Sequence, residues 1–349
     1  MLRSLAPLLS CPTCKHPNGV VRLEEFQPGE DGHVSDGALV CRNCGIWYPI
    51  ERDVLEFVPP AMLYRDDLSA FCARHAAKLA ALGLKEPPLS EEENYVEQIK
   101  QRAHFDSYAE DKPEFPDYTL IPFIRATATR YIKLARATWS DPKTLLLDIG
   151  CGTGIHSWPF MDKCTLVGFD VSKTAVRNAT EGARSRGLIG KGTFFVADGS
   201  FLPFVNDSFD RAITFGALHH LPNPQQAVAD IQRVLKPDGI HFAVENNDSA
   251  FRKIFDLLMM VWPLWVEEAG SQPLISRQMV EDWTRGLPVV IESETSVFLP
   301  PQFVNLLGKF AVPTIEYSDR LFSLVPVWNR HGGQHVFTIR KCVHAIKPV

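Results

Sequence analysis

Three glycines follow a short apolar segment at G-x-G-x-G spacing, and a helix is predicted to begin soon after them. The segment 145–154 reads LLLDIGCGTG, with Cys151 lying among the glycines Gly150, Gly152 and Gly154. Because glycine has no Cβ, the backbone there can turn tightly and approach a bound molecule closely. Free N–H groups at the start of the next helix, expected over 156–163, favour an anionic group such as a carboxylate. Asp148 precedes the glycines and can accept a hydrogen bond from an amino group of the same molecule.

Two further carboxylates end predicted strands downstream of the glycines. Asp170 closes the segment 165–170, 22 residues after Asp148, and Asp198 follows the segment 193–197. A carboxylate at the first position can accept hydrogen bonds from both hydroxyls of a ribose, as in dinucleotide enzymes. A carboxylate at the second position suits the exocyclic amine of an adenine. The pattern predicts a nucleoside site, and a nicotinamide or flavin nucleotide is the alternative that the glycine loop alone leaves open.

Short apolar segments that alternate with helical ones must position these side chains. The predicted strands are 144–149, 165–170, 193–197, 211–215 and 240–245, and the predicted helices between them are 156–163, 173–186 and 224–235. Fully apolar strands that alternate with helices are typical of a parallel sheet covered on both faces. A strand pair at 289–297 and 335–341, with a helix at 321–326 between them, is expected to close one edge of the sheet.

The stretch 145–245 resembles the class I methyltransferases that use S-adenosylmethionine, in particular the type 11 group similar to ubiquinone and menaquinone C-methyltransferases. Besides the glycine loop, the matching motifs are DGSFLPF at 198–204, SFD at 208–210, HHL at 219–221 and LKPDG at 235–239. The resemblance implies an α/β fold, with a Rossmann-like, mostly parallel sheet of seven strands and an antiparallel C-terminal strand. It also implies S-adenosyl-L-methionine as the cofactor.

The same resemblance implies how the cofactor is held. The residues implied around its methionine part are Asp148, Gly150, Cys151, Gly152 and Gly154. Asp170 would bind the ribose, with Val171 beside the adenine. Asp198 would meet the adenine amine, with Gly199 next to it.

The resemblance also implies which residues face the reacting methyl group. Its sulfonium side would be lined by Thr214, Phe215 and Gly216. Tyr108 is expected to close over the cofactor, and plain core packing is the alternative. His219 and His220 follow the fourth strand, where a base for an oxygen or a stabilised carbon acceptor would stand. They are the predicted catalytic residues, with a packing role in the family's recurrent His-His-Leu as the alternative.

The insert after the fifth strand, 251–285, is expected to form a lid over the acceptor. Its first half combines phenylalanine and aliphatic residues with Met259, Met260, Trp262 and Trp265. That composition suits a hydrophobic acceptor or a contact with a membrane surface, and packing into the core is the alternative. The predicted reaction is O- or C-methylation of a small hydrophobic molecule.

Four of the eight cysteines form two C-x-x-C pairs near the N-terminus. The pairs are Cys11 with Cys14 and Cys41 with Cys44, and 26 residues separate them. This is the usual ligand set of a tetrahedral structural zinc, and a pair of disulfides is the alternative. A site of four thiolates leaves no open position, so the metal is expected to stabilise the fold. The segment 37–58 resembles the small zinc-ribbon proteins that activate methyltransferases, here fused in cis.

Composition divides the 349 residues into three regions, a natural size for a catalytic domain with an accessory module. We expect a zinc ribbon over 1–60, a helical linker and lid region over 61–140, and the methyltransferase domain over 141–349. Periodic apolar positions predict a helix over 66–84 and another over 122–138. A further helix between them is expected to end at about residue 108.

Charge and hydropathy restrict the partners. The formal net charge is −5, and the segment 1–58 holds five basic and eight acidic residues. A module that grips phosphates should be basic, so the charge argues against nucleic acid as a partner. The most apolar segment, 254–266, is too short to span a bilayer, and a cytoplasmic location is the default expectation.

Two other functions remain open from the sequence. An rRNA or tRNA methyltransferase would use the ribbon to bind its substrate. A non-catalytic scaffold would bind the cofactor and activate a partner, although intact Asp148, Asp170 and Asp198 speak against degeneration. The acceptor atom and the oligomeric state are not predicted.

Overall fold

The computed structural model describes residues 1–16, 20–89, 92–110, 121–138, 143–264, 273–326 and 328–342. The chain divides into two compact units. The first unit comprises Met1–Asp111, Pro142–Asp210 and Arg233–Lys236, and the second comprises Lys112–Asp141, Arg211–Gln232 and Pro237–Val349.

The N-terminal ribbon is an antiparallel sheet within the first unit. Its four strands lie in chain order: β1 (Val21–Pro28), β2 (Val34–Cys41), β3 (Trp47–Glu51) and β4 (Val54–Leu55). Leu39 of β2 and its register partner Tyr48 of β3 are fully buried. The cysteine pairs thus flank a folded hairpin core.

The larger sheet has seven strands. They are β5 (Leu145–Ile149), β6 (Thr165–Asp170), β7 (Gly192–Val196), β8 (Phe209–Phe215), β9 (Leu235–Asn246), β10 (Val289–Ser296) and β11 (Gln334–Lys341). The spatial order is β10-β11-β9-β8-β5-β6-β7, with β5, β6 and β7 parallel and β11 antiparallel to β9 and β10. Apolar strands such as β7, all of whose residues are buried, require cover on both faces. The predicted fold class is confirmed, including the terminal strand pair.

The ribbon covers the edge strand β7 within the first unit. Glu56 forms a parallel bridge with Val196, and the Phe57 N–H donates to the Val196 carbonyl at 2.8 Å. A second contact joins Leu9 to Phe204 as an antiparallel bridge. An open edge strand is a template for unwanted pairing. The ribbon removes that edge by adding its own backbone.

Ten α-helices are found among the described residues: α1 (Arg65–Arg74), α2 (Ala76–Ala81), α3 (Val96–Glu110), α4 (Pro122–Ala137), α5 (Lys173–Ser185), α6 (Pro224–Val234), α7 (Ala250–Val261), α8 (Arg277–Trp283), α9 (Pro301–Leu306) and α10 (Ala311–Ser323). In the second unit, α4, α7, α9 and α10 share a core that includes Phe123, Phe255, Val304 and Ile315.

Three predicted helices were wrong in extent. The segment 66–84 is two helices, because His75 leaves helical geometry and packs its ring on Phe26 and Phe71, with centroids 5.2 and 4.6 Å away. The helix expected over 321–326 is the end of α10 followed by a turn.

The helix expected over 156–163 is a single 3-10 turn, Trp158–Phe160. Pro159 has no N–H to donate, and the Trp158 Nε1–H donates to the Ala179 carbonyl at 3.2 Å. The segment is therefore anchored to α5 and does not extend as a helix. The glycines are followed by a short 3-10 turn and not by the N-terminus of an α-helix.

Candidate functional site

The glycine loop after β5 leaves space on one side and packs tightly on the other. Gly150, Gly152 and Gly154 have φ of +69°, +50° and +85°. A Cβ built at Gly152 meets nothing within 4 Å, whereas one at Gly154 would lie 2.8 Å from Trp158 Nε1. Gly154 is thus required for packing, and Gly152 leaves open backbone that a ligand can approach. Cys151 is buried, and its Cβ lies 3.2 Å from the Cβ position built at Gly168 of β6.

Asp148 lies beneath this loop, 2% exposed. The Ser157 hydroxyl donates to its Oδ2 at 2.5 Å. Burial raises the pKa of the Asp148 carboxyl to about 7. The group therefore changes charge near neutral pH, and a cation placed beside it would favour the ionised form.

Asp170 ends β6 and joins the glycine loop to the start of α5. Its Oδ2 accepts from the Gly152 N–H and its Oδ1 from the Ser172 N–H, both at 2.9 Å. Burial raises the pKa of Asp170 above its usual value. Val171, half-buried, follows it. The carboxylate is thus fixed by two backbone donors at the carboxyl end of the strand, which is where ligands bind in sheets of this kind.

Asp198 follows β7 at the same end of the parallel strands. The Ser200 N–H donates to its Oδ1 at 2.9 Å, and burial raises the pKa of its carboxyl. Gly199 beside it is buried. The first unit therefore brings all three predicted carboxylates to the carboxyl ends of three consecutive parallel strands.

Helix α3 supports the turn after Asp170 through a residue that sequence analysis missed. Asp106 Oδ1 accepts from the Ser172 hydroxyl at 2.7 Å and from the Thr174 N–H at 2.8 Å. Its Oδ2 accepts from the Tyr64 hydroxyl at 2.7 Å. Ser172 in turn donates its N–H to Asp170. Tyr108, the predicted lid residue, belongs to the same helix, but its side chain lies outside the described residues.

A buried ion cluster continues this network into the ribbon. Arg102 of α3 lies 3.9 Å from Asp106, and its Nη2 donates to Glu56 Oε2 at 2.5 Å. Lys173 Nζ lies 2.5 Å from Glu56 Oε1. Although burial alone would raise it, Arg102 and Lys173 hold the pKa of Glu56 below its usual value. Glu56, at the end of the ribbon, is thus linked through two side chains to the turn that holds Asp170.

The second unit holds the predicted catalytic histidines. His219 Nδ1 lies 2.6 Å from Glu245 Oε2, and both side chains are buried. Glu245 Oε1 accepts from the Ala217 and Leu218 N–H groups at 3.1 and 2.8 Å. The half-buried His220 lies beside His219, with ring centroids 4.1 Å apart and the ring planes tilted by 43°. His219 therefore has a carboxylate partner that fixes its ring, a contact that sequence analysis did not predict.

The three residues assigned to the sulfonium side differ in exposure. Thr214 is fully buried, and its hydroxyl lies 3.0 Å from His241 Nε2. Phe215 is half-buried, with its ring 6.0 Å from that of Phe242. Gly216 has φ of +65°, and its N–H donates to the Val244 carbonyl. The Thr214 side chain is thus turned into the sheet against His241.

The four ribbon cysteines form a cluster with the dimensions of a zinc site. Their sulfurs all lie within 4.8 Å of one another. The Cys11–Cys44 and Cys14–Cys41 Sγ separations are 3.8 and 3.7 Å. A tetrahedron with Zn–S distances of about 2.3 Å has S···S edges of about 3.8 Å. A disulfide requires about 2.05 Å, so the donor set fits a four-coordinate metal and not two disulfides.

Comparison with known families agrees with this geometry. Residues 147–243 match the family model described as a methyltransferase domain, and residues 3–53 match the one described as Trm112p-like protein. The chain therefore carries a methyltransferase domain preceded by a Trm112-like domain. This confirms the resemblance drawn from the glycine loop and the cysteine pairs.

Individual relatives are similar over the methyltransferase region. Methyltransferase GfsG of Streptomyces halstedii is 35% identical over 96 residues, covering 27% of this chain and 34% of that protein. The chloroplastic 2-methyl-6-phytyl-1,4-hydroquinone methyltransferase 2 of Oryza sativa subsp. japonica is 25% identical over 156 residues, covering 42% and 44%. The chain thus spans less than half the length of these relatives.

One solved structure is similar over most of its own length. A chain of the complex between the Haloferax volcanii Trm112 methyltransferase activator and the putative methyltransferase aligns with a TM-score of 0.50 and 16% identity. The alignment covers 70% of this chain and 99% of that one. At this identity the likeness shows the fold alone.

Proposed function

We propose that this protein transfers a methyl group from S-adenosylmethionine to a small hydrophobic acceptor. The open glycine backbone at Gly152, beside the fixed carboxylate of Asp170, supports this proposal most directly. Asp148 would bind the amino group of the methionine part, Asp170 the ribose hydroxyls and Asp198 the adenine amine. Bound S-adenosylmethionine supplies an electrophilic methyl group, and the protein's own residues hold and orient the reactants.

His219 of the second unit would serve the acceptor. With its Nδ1–H donated to Glu245, His219 presents the lone pair of Nε2, which can accept a proton from an acceptor hydroxyl or enol. Glu245 is a positioning residue in this proposal, because it fixes the ring and the 217–218 backbone together. A relative named for a phytyl hydroquinone supports a hydrophobic small molecule as the acceptor.

Substitution of the two histidines tests this assignment. We expect His219→Gln to lower the methyl-transfer rate by about 10²- to 10⁴-fold, as for loss of a general base, and to leave cofactor affinity nearly unchanged. His220→Gln is the matched control and should keep most of the activity, since Glu245 fixes the ring of His219. Equal losses in both variants would contradict a specific role for His219.

Asp148 should give cofactor binding a pH dependence. The pKa of its carboxyl is about 7, so below that pH the cofactor's amino group must displace a proton to bind. Affinity should therefore rise with pH up to about 7 and weaken by up to about tenfold per unit below it. Calorimetric titration of S-adenosylmethionine across this range measures the slope. Asp148→Asn should abolish the slope, and a variant that keeps it would exclude Asp148 as its source.

The acceptor class can be identified by following the methyl group. Protein and methyl-labelled S-adenosylmethionine are incubated with the organic-solvent extract of cells and, separately, with total RNA. We expect label in the organic extract only. Label that enters RNA and is released by ribonuclease would favour the alternative of an RNA methyltransferase. The observation in favour of that alternative is the Trm112-like domain. Cofactor binding without transfer to either pool would favour the scaffold.

The ribbon is proposed to act in cis as a structural platform that holds one Zn²⁺ through Cys11, Cys14, Cys41 and Cys44. Its backbone already occupies the edge of β7, and Glu56 reaches the network behind Asp170. No helix within the described residues is both long and apolar enough to cross a bilayer. A site of four reduced thiols supports the proposed cytoplasmic location.

A further inference from the structure

Exposed apolar side chains are concentrated on one part of the second unit. Among the described residues, sixteen large apolar side chains are exposed, and fourteen of them lie within 254–262 and 303–328. The most exposed are Met260 at 83%, Val261 at 80% and Leu324 at 78%. The described part of the first unit, by contrast, has only Val96. Scattered exposed apolar residues are normal, but a concentration of this size marks an interaction surface.

These residues lie on helices that share one core. Phe255 of α7, Val304 of α9 and Ile315 of α10 belong to the same buried cluster. The Gln302 side chain donates to the Trp262 carbonyl at 3.0 Å, and the rings of Phe251 and Phe322 lie 6.1 Å apart. The three helices therefore contribute to one core, and we call the exposed apolar residues of 254–262 and 303–328 the outer face.

Helix α7 is apolar on both of its sides. Phe255 and Met259 point into the core, whereas Ile254, Leu257 and Val261, at helical spacing, are at least half exposed. A helix that is apolar all round is normally buried on every side. No described residue covers the outer side of α7. Its apolar side chains therefore indicate contact with a further apolar environment.

Charges on these helices favour an anionic environment. Each acidic residue of α7 and α10 is held in an ion pair: Asp256 with Arg252, Glu316 with Lys133 and Asp319 with Arg130. Lys309, Arg320 and Arg330 are exposed, and among the described residues none of them forms an ion pair within 4.0 Å, although Lys133 and, less strongly, Arg320 hold the pKa of Glu316 below its usual value. Exposed cations thus lie on the same helices and turns as Trp262, Tyr317 and Trp328 of the outer face. These residue types suit the boundary between headgroups and acyl chains.

We infer that the outer face of α7, α9 and α10 docks on the surface of a bilayer that contains anionic phospholipids. The apolar side chains would enter the acyl boundary while the cations meet the headgroups. Helix α7 begins five residues after Glu245, so the docked surface adjoins the catalytic end of β9. A lipid-phase acceptor could then reach the active site from the bilayer; this last step rests on the proposed function, whereas docking itself does not.

Vesicle co-sedimentation tests the docking. The full-length protein is mixed with vesicles of phosphatidylcholine alone or with about 30 mol% phosphatidylglycerol. We expect it to sediment with the anionic vesicles and to be released by salt. The double variant Met260→Glu/Leu324→Glu should bind at least about tenfold more weakly, and Lys309→Glu/Arg320→Glu should lose the preference for anionic lipid. Val290→Glu, an exposed apolar position on β10 outside the outer face, is the matched control.

Two results would overturn the inference. One is wild-type binding to neither vesicle, or binding that Met260→Glu/Leu324→Glu leaves unchanged. The other is a stable dimer in light scattering that the same double variant dissociates, since a second copy of the chain would then cover the face. Cofactor affinity, measured on each variant, separates this test from the proposed function, because docking can fail while S-adenosylmethionine still binds.

Discussion

Cys41→Ser is expected to release the zinc and unfold the ribbon. Cys41 is fully buried at the end of β2, and its sulfur lies among three others at metal-binding distance. Structural zinc contributes about 10–16 kcal/mol of apparent binding free energy, more than most domains have as net stability. Loss of the ribbon also uncovers the edge of β7 and removes Glu56 from its cations. We therefore expect a large drop in Tm, aggregation and loss of cofactor binding.

Metal analysis and thermal unfolding measure this effect. Cys342→Ser is the matched control, because Cys342 is a half-buried free thiol outside the cluster and should leave zinc content and Tm unchanged. One zinc per wild-type chain and none in Cys41→Ser is the predicted result. A wild-type protein that is folded and free of zinc would refute the metal site.

Glu56→Gln should weaken both the fold and cofactor binding while zinc is retained. The substitution leaves Arg102 and Lys173 buried with one carboxylate fewer, and breaking a buried ion pair costs about 3–5 kcal/mol. Because Arg102 also faces Asp106, which holds Ser172, the turn around Asp170 should loosen. We expect about a tenfold loss of S-adenosylmethionine affinity, equivalent to about 1.4 kcal/mol.

Two further variants show whether this loss passes through the network. Asp106→Asn removes the carboxylate next to Ser172 and should weaken cofactor binding at least as much as Glu56→Gln. Glu25→Gln is the control within the ribbon, since Glu25 pairs with Arg3 at the surface, where ion pairs contribute about 0–1 kcal/mol. If cofactor affinity stays at the wild-type value in both Glu56→Gln and Asp106→Asn, the ribbon is not coupled to the ribose site.

The parts of the site that sequence analysis predicted are those encoded by short, continuous patterns. The glycine loop, the strand-end positions of Asp170 and Asp198 and the two C-x-x-C pairs are local in the chain, so their spacing alone indicates the geometry. The apolar strands indicated the fold class in the same way, because the buried strands of a parallel sheet appear in the sequence as continuous apolar segments.

The supporting contacts could not be predicted because they join residues that are far apart in the chain. Glu56 and Arg102 are 46 residues apart, and His219 and Glu245 are 26 apart. Neither pair has a periodic or motif signature; only the fold brings them together. The break at His75 and the short turn at Trp158 have the same origin, since tertiary packing of one ring overrides the local preference for helix.

Calorimetric titration of S-adenosylmethionine into the wild type and Asp170→Ala tests the central claim most directly. We expect one binding site per chain and a loss of about 1–3 kcal/mol in the variant, or about 5- to 150-fold in Kd, as for a lost hydrogen bond to a charged group. NAD should neither bind nor compete. Unchanged affinity in Asp170→Ala, or displacement of S-adenosylmethionine by NAD, would contradict the assignment of this strand end to the cofactor's ribose.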